Sequence, residues 1–269
     1  MAKLSDYQQN INHNLKETHA NNPLSNDTPI YKDVELVNIT FKSQVIFKYL
    51  IAVISCLVTL NLIGIFYQYV LNGERASDII QLFTLNAEAN IPSIYSSYAL
   101  LLCSFLLAII AKSKHQAKNR YRTHWKFLAL LFLYLAIDEG ASIHEVSIGK
   151  TRTILNTDGF FYYAWVIPAI ILFSLFALVY LKFVLSLPKK TRSLCVLCAA
   201  MFISGAIGVE MICGQIVTLQ GSDDNLTYAL MATAEETLEM VAIAIFVYAL
   251  LNYLEKYINP VILRFKDRA

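Results

Sequence analysis

The sequence predicts an all-α fold, a polytopic membrane helix bundle of about six transmembrane helices with both termini cytoplasmic. Three observations carry this prediction. Apolar residues make up 57% of the 269-residue chain and charged residues only 16%, too apolar and too poor in charge for an ordinary soluble domain. Long apolar runs recur, each near the roughly 20 residues that a helix needs to cross about 30 Å of hydrocarbon. The basic residues are spread unevenly, crowding alternate connections between those runs.

Residues 1–44 are rich in Asn, Gln, Lys and Asp and lack the basic start and apolar core of a cleavable signal. They read as a polar, largely disordered cytoplasmic tail. Its last part carries Val34, Leu36, Ile39 and Phe41 among charges and could lie along the membrane surface. Residues 45–269 form the expected six-helix transmembrane domain. The spans fall at about 45–71, 93–112, 124–147, 161–187, 192–219 and 227–256. Short connections predict one compact bundle, and Pro168 predicts a kink in the fourth span.

Lys112, Lys114, Lys118, Arg120, Arg122 and Lys126 crowd the second connection, and Lys182, Lys189, Lys190 and Arg192 the fourth. Both belong inside by the positive-inside rule. The first and fifth connections are acidic, with Glu74, Asp78 and Glu88 in one and Asp223 and Asp224 in the other. With the tails inside, every Lys and Arg but Arg75, Lys150 and Arg152 is cytoplasmic. Tyr95, Tyr98, Tyr162, Tyr163 and Trp165 then lie near the outer interface, where amphipathic rings are favoured. The pattern is that of a multi-pass protein of a bacterial inner membrane. The lipid bilayer is its expected partner, and a net charge of +2 gives no reason to expect nucleic acid. The five cysteines lie in or beside apolar runs, where cysteine behaves as a small hydrophobe. Cys195 and Cys198 form a CxxC without a second pair or a nearby His, which argues against a metal or redox role.

Acidic residues inside the spans are the functional signal. The third span carries Asp138, Glu139, His144 and Glu145, the fifth Glu210, and the sixth Glu235, Glu236 and Glu239. At about 100° per residue, Asp138, Ser142 and Glu145 share one stripe of the third span, flanked by His144 and by Glu139, the least secure member. Gly205, Gly208 and Gly214 around Glu210 allow a close helix approach, which points Glu210 into the bundle. Glu235, Glu236 and Glu239 fall within one arc. Counted from the outer ends, the three groups lie at similar depths, roughly 12–18 Å, and so are expected to form one layer in the outer half of the membrane.

A charge near the membrane centre costs roughly 2.5–3.5 kcal/mol, and mutual repulsion adds to this. No Lys or Arg in these segments offsets it, which leaves protons, bound cations or a watery cleft. Carboxylates with one imidazole suit hard or borderline divalent ions such as Zn, Fe, Mn or Ca. The metal ligands expected are Asp138, Glu139, His144, Glu145, Glu210, Glu235, Glu236 and Glu239, with Glu145 and Glu236 as catalytic acid or base. Asn61, Tyr67 and Tyr134 are candidate supporting partners.

Two family patterns are met in part. Glu235-Glu236 is similar, for two residues, to the double-glutamate motif of intramembrane CAAX-type proteases, but Met240 stands where that motif has Arg and no His follows. Dinuclear carboxylate bundles carry ExxH pairs, whereas Glu139 precedes His144 by five positions. Neither resemblance assigns a family. The expectation is a metal-dependent membrane hydrolase or oxidoreductase acting on a lipid or membrane substrate. The alternative is a divalent-cation or proton-coupled transporter, suggested by acidic clusters on the third and sixth spans, which run in opposite directions. A wetted surface helix over residues 227–239 is the plainer reading of the last span's acids.

Overall fold

A computed structural model of the chain describes residues 42–71, 78–143 and 157–258, all within one compact unit, Ile39–Val261. The expected tail, residues 1–44, falls almost wholly outside the described residues, as do His144, Glu145 and Arg152. Every described element is helical. In chain order these are α1 (Ser43–Tyr69), α2 (Asp78–Gln81), α3 (Ile91–Gln116), α4 (Arg122–Ala141), a 3₁₀ turn (Gly159–Phe161), α5 (Val166–Ser186), α6 (Lys189–Ile203), a π-helical segment (Ser204–Val209), α7 (Glu210–Gln220) and α8 (Leu226–Tyr257).

Five stretches are long and apolar enough to cross a membrane: α1, α3, α5, the continuous run Lys189–Gln220, and α8. They support a multi-pass membrane protein. The third expected span, 124–147, is the exception. Its helix α4 includes Arg122, Lys126, Asp138 and Glu139 among 20 residues and ends at Ala141, where Ser142 turns left-handed (φ 54°) and its N–H bonds to the Asp138 carbonyl. The stripe joining Asp138, Ser142 and Glu145 assumes a helix through 147; α4 ends at Ala141, and Glu145 lies outside the described residues. The plainer reading of the last span also fails, because α8 is one unbroken helix with Ala232, Thr233 and Glu235 already buried.

Local sequence explains the helix ends. Asn90 caps α3 through a reciprocal pair: its Oδ1 accepts from the Ser93 N–H (3.1 Å) while the Ser93 hydroxyl oxygen accepts from the Asn90 N–H (2.9 Å), with Pro92 in the first turn. Asn225 caps α8 by accepting from the Tyr228 N–H at 2.8 Å. α5 starts only at Val166, five residues later than expected, so Pro168 occupies the first turn, where its missing N–H removes no helical bond. No kink is needed there.

α8 is the axis of the bundle, packing against α1, α3, α6, α7 and the π segment. Of its most apolar 18-residue window 67% is buried, against 11% for α5, so α8 forms the core while α5 presents nearly all its surface outward. α3 and α4 form an antiparallel hairpin. The main apolar core sits towards one end, where Leu106, Leu107 and Ile110 of α3, Trp125 of α4 and Val247, Leu250 and Leu254 of α8 interlock. Basic residues gather at the same end. Lys114 lies 5.2 Å from the Tyr253 ring centre, and Lys190 donates to the Tyr248 hydroxyl at 2.8 Å. There Glu255 ties the last helix to the first, accepting from the Ser43 N–H (2.7 Å) and hydroxyl (2.9 Å). The other end is polar, with Tyr69 donating to Asp224 at 3.0 Å.

Candidate functional site

The polar half of the bundle is built around the first turns of α8. Glu235 is 9% exposed and its side chain is in hydrogen-bond contact with that of Glu210. On its other side the Cys213 thiol donates to Glu235 Oε2 at 3.8 Å. Two carboxyl groups can bond directly only when a proton or a cation lies between them, since an ionised carboxylate is acceptor only. Glu210 also accepts from the Trp165 indole N–H at 3.0 Å.

A distortion of the helix places Glu210. The run Lys189–Gln220 passes through six π-helical residues, Ser204–Val209, that end immediately before Glu210, and π segments inside α-helices cluster at functional sites. Gly205 makes the geometry possible: a Cβ there would stand 3.1 Å from the Glu235 carbonyl oxygen and 3.2 Å from Glu239 Cγ. The small residue lets α8 come close enough for Glu235 to meet Glu210.

Glu236 lies within electrostatic reach of Glu139, Glu210 and Glu88, and Glu239 of Glu236, Glu235, Glu139 and Glu210. Both are half-buried. Glu139 is thus the α4 acid that neighbours the α8 acids, although its place on the helical wheel made it the least secure. Asp138, one residue away, is half-buried. Glu88 had counted only as a loop acid. Ala89 beside it adopts φ 53°, a left-handed conformation costing an alanine roughly 1 kcal/mol, and turns the chain into the Asn90 cap.

Asn61 on α1 is buried and fixes this loop to α8. Its Oδ1 accepts from the Leu85 N–H (3.0 Å) and its Nδ2 donates to the Thr233 hydroxyl (2.8 Å), two residues before Glu235. Tyr67 and Tyr134, the other suggested partners, are 43% and 53% exposed and point away from such a role. Cys195 and Cys198 are free thiols, and Cys198 donates to the Cys195 carbonyl at 3.1 Å.

Above Glu210 runs the segment Thr157–Trp165. Asp158 accepts from the Thr218 hydroxyl at 2.7 Å, and the Gly159 N–H donates to that hydroxyl at 3.0 Å. Gly214 allows this approach, for a Cβ would meet Tyr162 Cβ at 3.0 Å and the Gly159 carbonyl oxygen at 3.1 Å. The Tyr163 and Tyr228 hydroxyls lie 3.0 Å apart, and Asn86 donates to Tyr228 at 3.4 Å. Burial, then the bond to Tyr228, raises the pKa of the Tyr163 hydroxyl well above its ordinary value and keeps it neutral.

Residues 50–253 match a domain of unknown function, DUF8692. The chain belongs to this family. The DUF8692 match runs from within α1 to within α8 and so takes in the acids of the site and the Asn90 and Asn225 caps, while the Ser43–Glu255 tie lies outside it. No curated protein and no solved structure matches the chain. The DUF8692 fold brings acids from three helices, α4, α7 and α8, and from the 82–90 loop towards one another. Among its described residues, no three His, Cys, Asp or Glu side chains converge closely enough to hold a metal ion, so the described carboxylates alone do not complete a coordination shell.

Proposed function

We propose that this is a multi-pass membrane protein of the bacterial inner membrane, with both termini cytoplasmic, whose outer-half glutamates bind a divalent cation and act on a lipid or other membrane-borne substrate. The observation that carries the reading is the Glu210–Glu235 contact, in helix segments without a Lys or Arg to offset the charge. Keeping such acids in a membrane is costly and marks function by default. In this reading the Glu210–Glu235 pair would supply the first ligands, and the further ones would be drawn from the neighbouring acids Glu236, Glu239, Glu139 and Asp138. His144 and Glu145, outside the described residues, remain further candidates. A bound Zn, Fe, Mn or Ca ion would supply a polarised water or substrate oxygen, and Glu236 would serve as the proton-transferring group. The test is elemental analysis of purified protein beside Glu210→Gln and Glu236→Gln. Stoichiometric metal in the parent, reduced in both variants, supports the reading; a metal-free parent sinks it.

A second reading, cation- or proton-coupled transport, is favoured by the same contact, because two carboxyls that share one proton can exchange it. Reconstituted protein would then move protons or divalent cations across vesicles, and Glu235→Gln would stop the flux. Absence of flux with metal retained leaves the enzyme reading.

A further inference from the structure

Trp165 and Tyr163 belong to one segment that is bonded to α7 and α8 and leads into α5. At its start one side chain of α7 is held twice, by a carboxylate and by a backbone N–H. Asp158 and the Gly159 N–H both engage the Thr218 hydroxyl of α7, Gly159 adopts φ 62°, and the missing Cβ of Gly214 seats the 3₁₀ turn against α7. At its far end the carbonyls of Tyr163, Ala164 and Trp165 accept from the first N–H groups of α5, while the Tyr163–Tyr228 and Trp165–Glu210 bonds to α8 and α7 are made by side chains. Tyr163 meets the Tyr228 hydroxyl of α8 at 3.0 Å, and the Trp165 indole reaches Glu210 at 3.0 Å. Asn86 joins from the 82–90 loop at 3.4 Å. Ala164, between the two aromatic residues, is fully buried, so the segment is pressed into the bundle there. Cys213, which contacts Glu235, lies underneath and is 1% exposed.

We propose that Thr157–Trp165 is a strap over the glutamates, fixed at its Asp158–Thr218 end and latched at its Tyr163–Tyr228 and Trp165–Glu210 end, and that unlatching admits polar reactants from the outer aqueous side. One latch bond ends on Glu210 itself, so the strap reads the state of the carboxyl it covers. A ligand that draws Glu210 away removes the acceptor from Trp165. The inference deepens the proposed function by giving those glutamates a gated entrance. Its test reads chemical accessibility and not metal content, so either can fail alone.

The full chain in lipid nanodiscs is treated with a water-soluble carbodiimide and an amine, and modification is followed site by site by mass spectrometry. In the parent, Glu210 and Glu235 are expected to react far more slowly than Asp223 and Asp224, the exposed acids of the neighbouring loop. Equal rates overturn the proposal. Tyr163→Phe, which deletes one latch bond, is expected to raise the Glu210 and Glu235 rates about fivefold, the change that one lost hydrogen bond gives, with Asp223 and Asp224 unchanged. Unchanged Glu210 and Glu235 rates in this variant also overturn it. Maleimide labelling of Cys103, fully buried in the apolar core, detects general loosening. If Tyr163→Phe exposes Cys103, Tyr228→Phe, which removes the same bond from the other side, replaces it. If that variant loosens too, the parent comparison decides.

Discussion

Glu235 of α8 and Glu210 of α7 meet carboxyl to carboxyl, and the Trp165 indole N–H holds the far side of Glu210 at 3.0 Å. Glu210→Gln leaves an oxygen to accept from Trp165, whereas Glu210→Ala leaves a half-buried donor without its partner. Thermal unfolding in detergent should place Glu210→Ala about 1–3 kcal/mol below Glu210→Gln, the cost of an unsatisfied buried group. Equal stability would mean that the indole contributes nothing to holding Glu210.

Asn61 makes a similar prediction in the first helix. Asn61→Ala strands the Leu85 N–H and the Thr233 hydroxyl together. It should cost more than Thr233→Val, which leaves the Leu85 bond intact. We expect about 2–3 kcal/mol against about 1 kcal/mol from paired denaturation curves.

The two glycines of the π segment should respond with opposite sign. A Cβ at Gly205 would crowd the α8 backbone at 3.1 Å, while one at Gly208 meets nothing within 4 Å. Gly205→Ala is expected to destabilise by about 1–3 kcal/mol. Gly208→Ala should be neutral or stabilise by up to about 1 kcal/mol, because alanine loses less chain entropy. Melting temperatures moving in the same direction would argue against the close approach of α8.

At the opposite end, Glu255→Gln keeps one of the two acceptors that Ser43 uses and loses its charge at the α1 N-terminus. The loss should be about 0.5–1 kcal/mol, shrinking as salt is added. A salt-independent effect would assign the contribution to hydrogen bonding alone.

The helices that sequence located best are those whose apolarity is continuous. α1, α3 and α8 begin and end within four residues of expectation, because a membrane-length apolar run leaves little choice of state. What remained hidden depends on neighbours. The left-handed Ser142 that ends α4 follows Gly140 and Ala141, weak signals inside a stretch that also reads as helix. The π segment is written only in the small residues Ser204, Gly205 and Gly208, which equally suit close packing. The wheel favoured Asp138 over Glu139 because it ran the helix on to 147. Glu88 reads in the sequence only as an acid of an outer connection because loop acids carry no periodicity, and the strap is hidden because aromatic residues at an interface are ordinary. Asn61 alone announced itself, as a lone amide in an apolar run.

The placement of α8 has a consequence for biogenesis. The helix that packs against α1, α3, α6 and α7 follows all of them in the chain. During synthesis the earlier helices enter the bilayer before their common partner exists, and Glu210 emerges ahead of Glu235. Until α8 arrives Glu210 lacks its neighbour Glu235, and the Trp165 indole, made earlier in the chain, is already there to hold it.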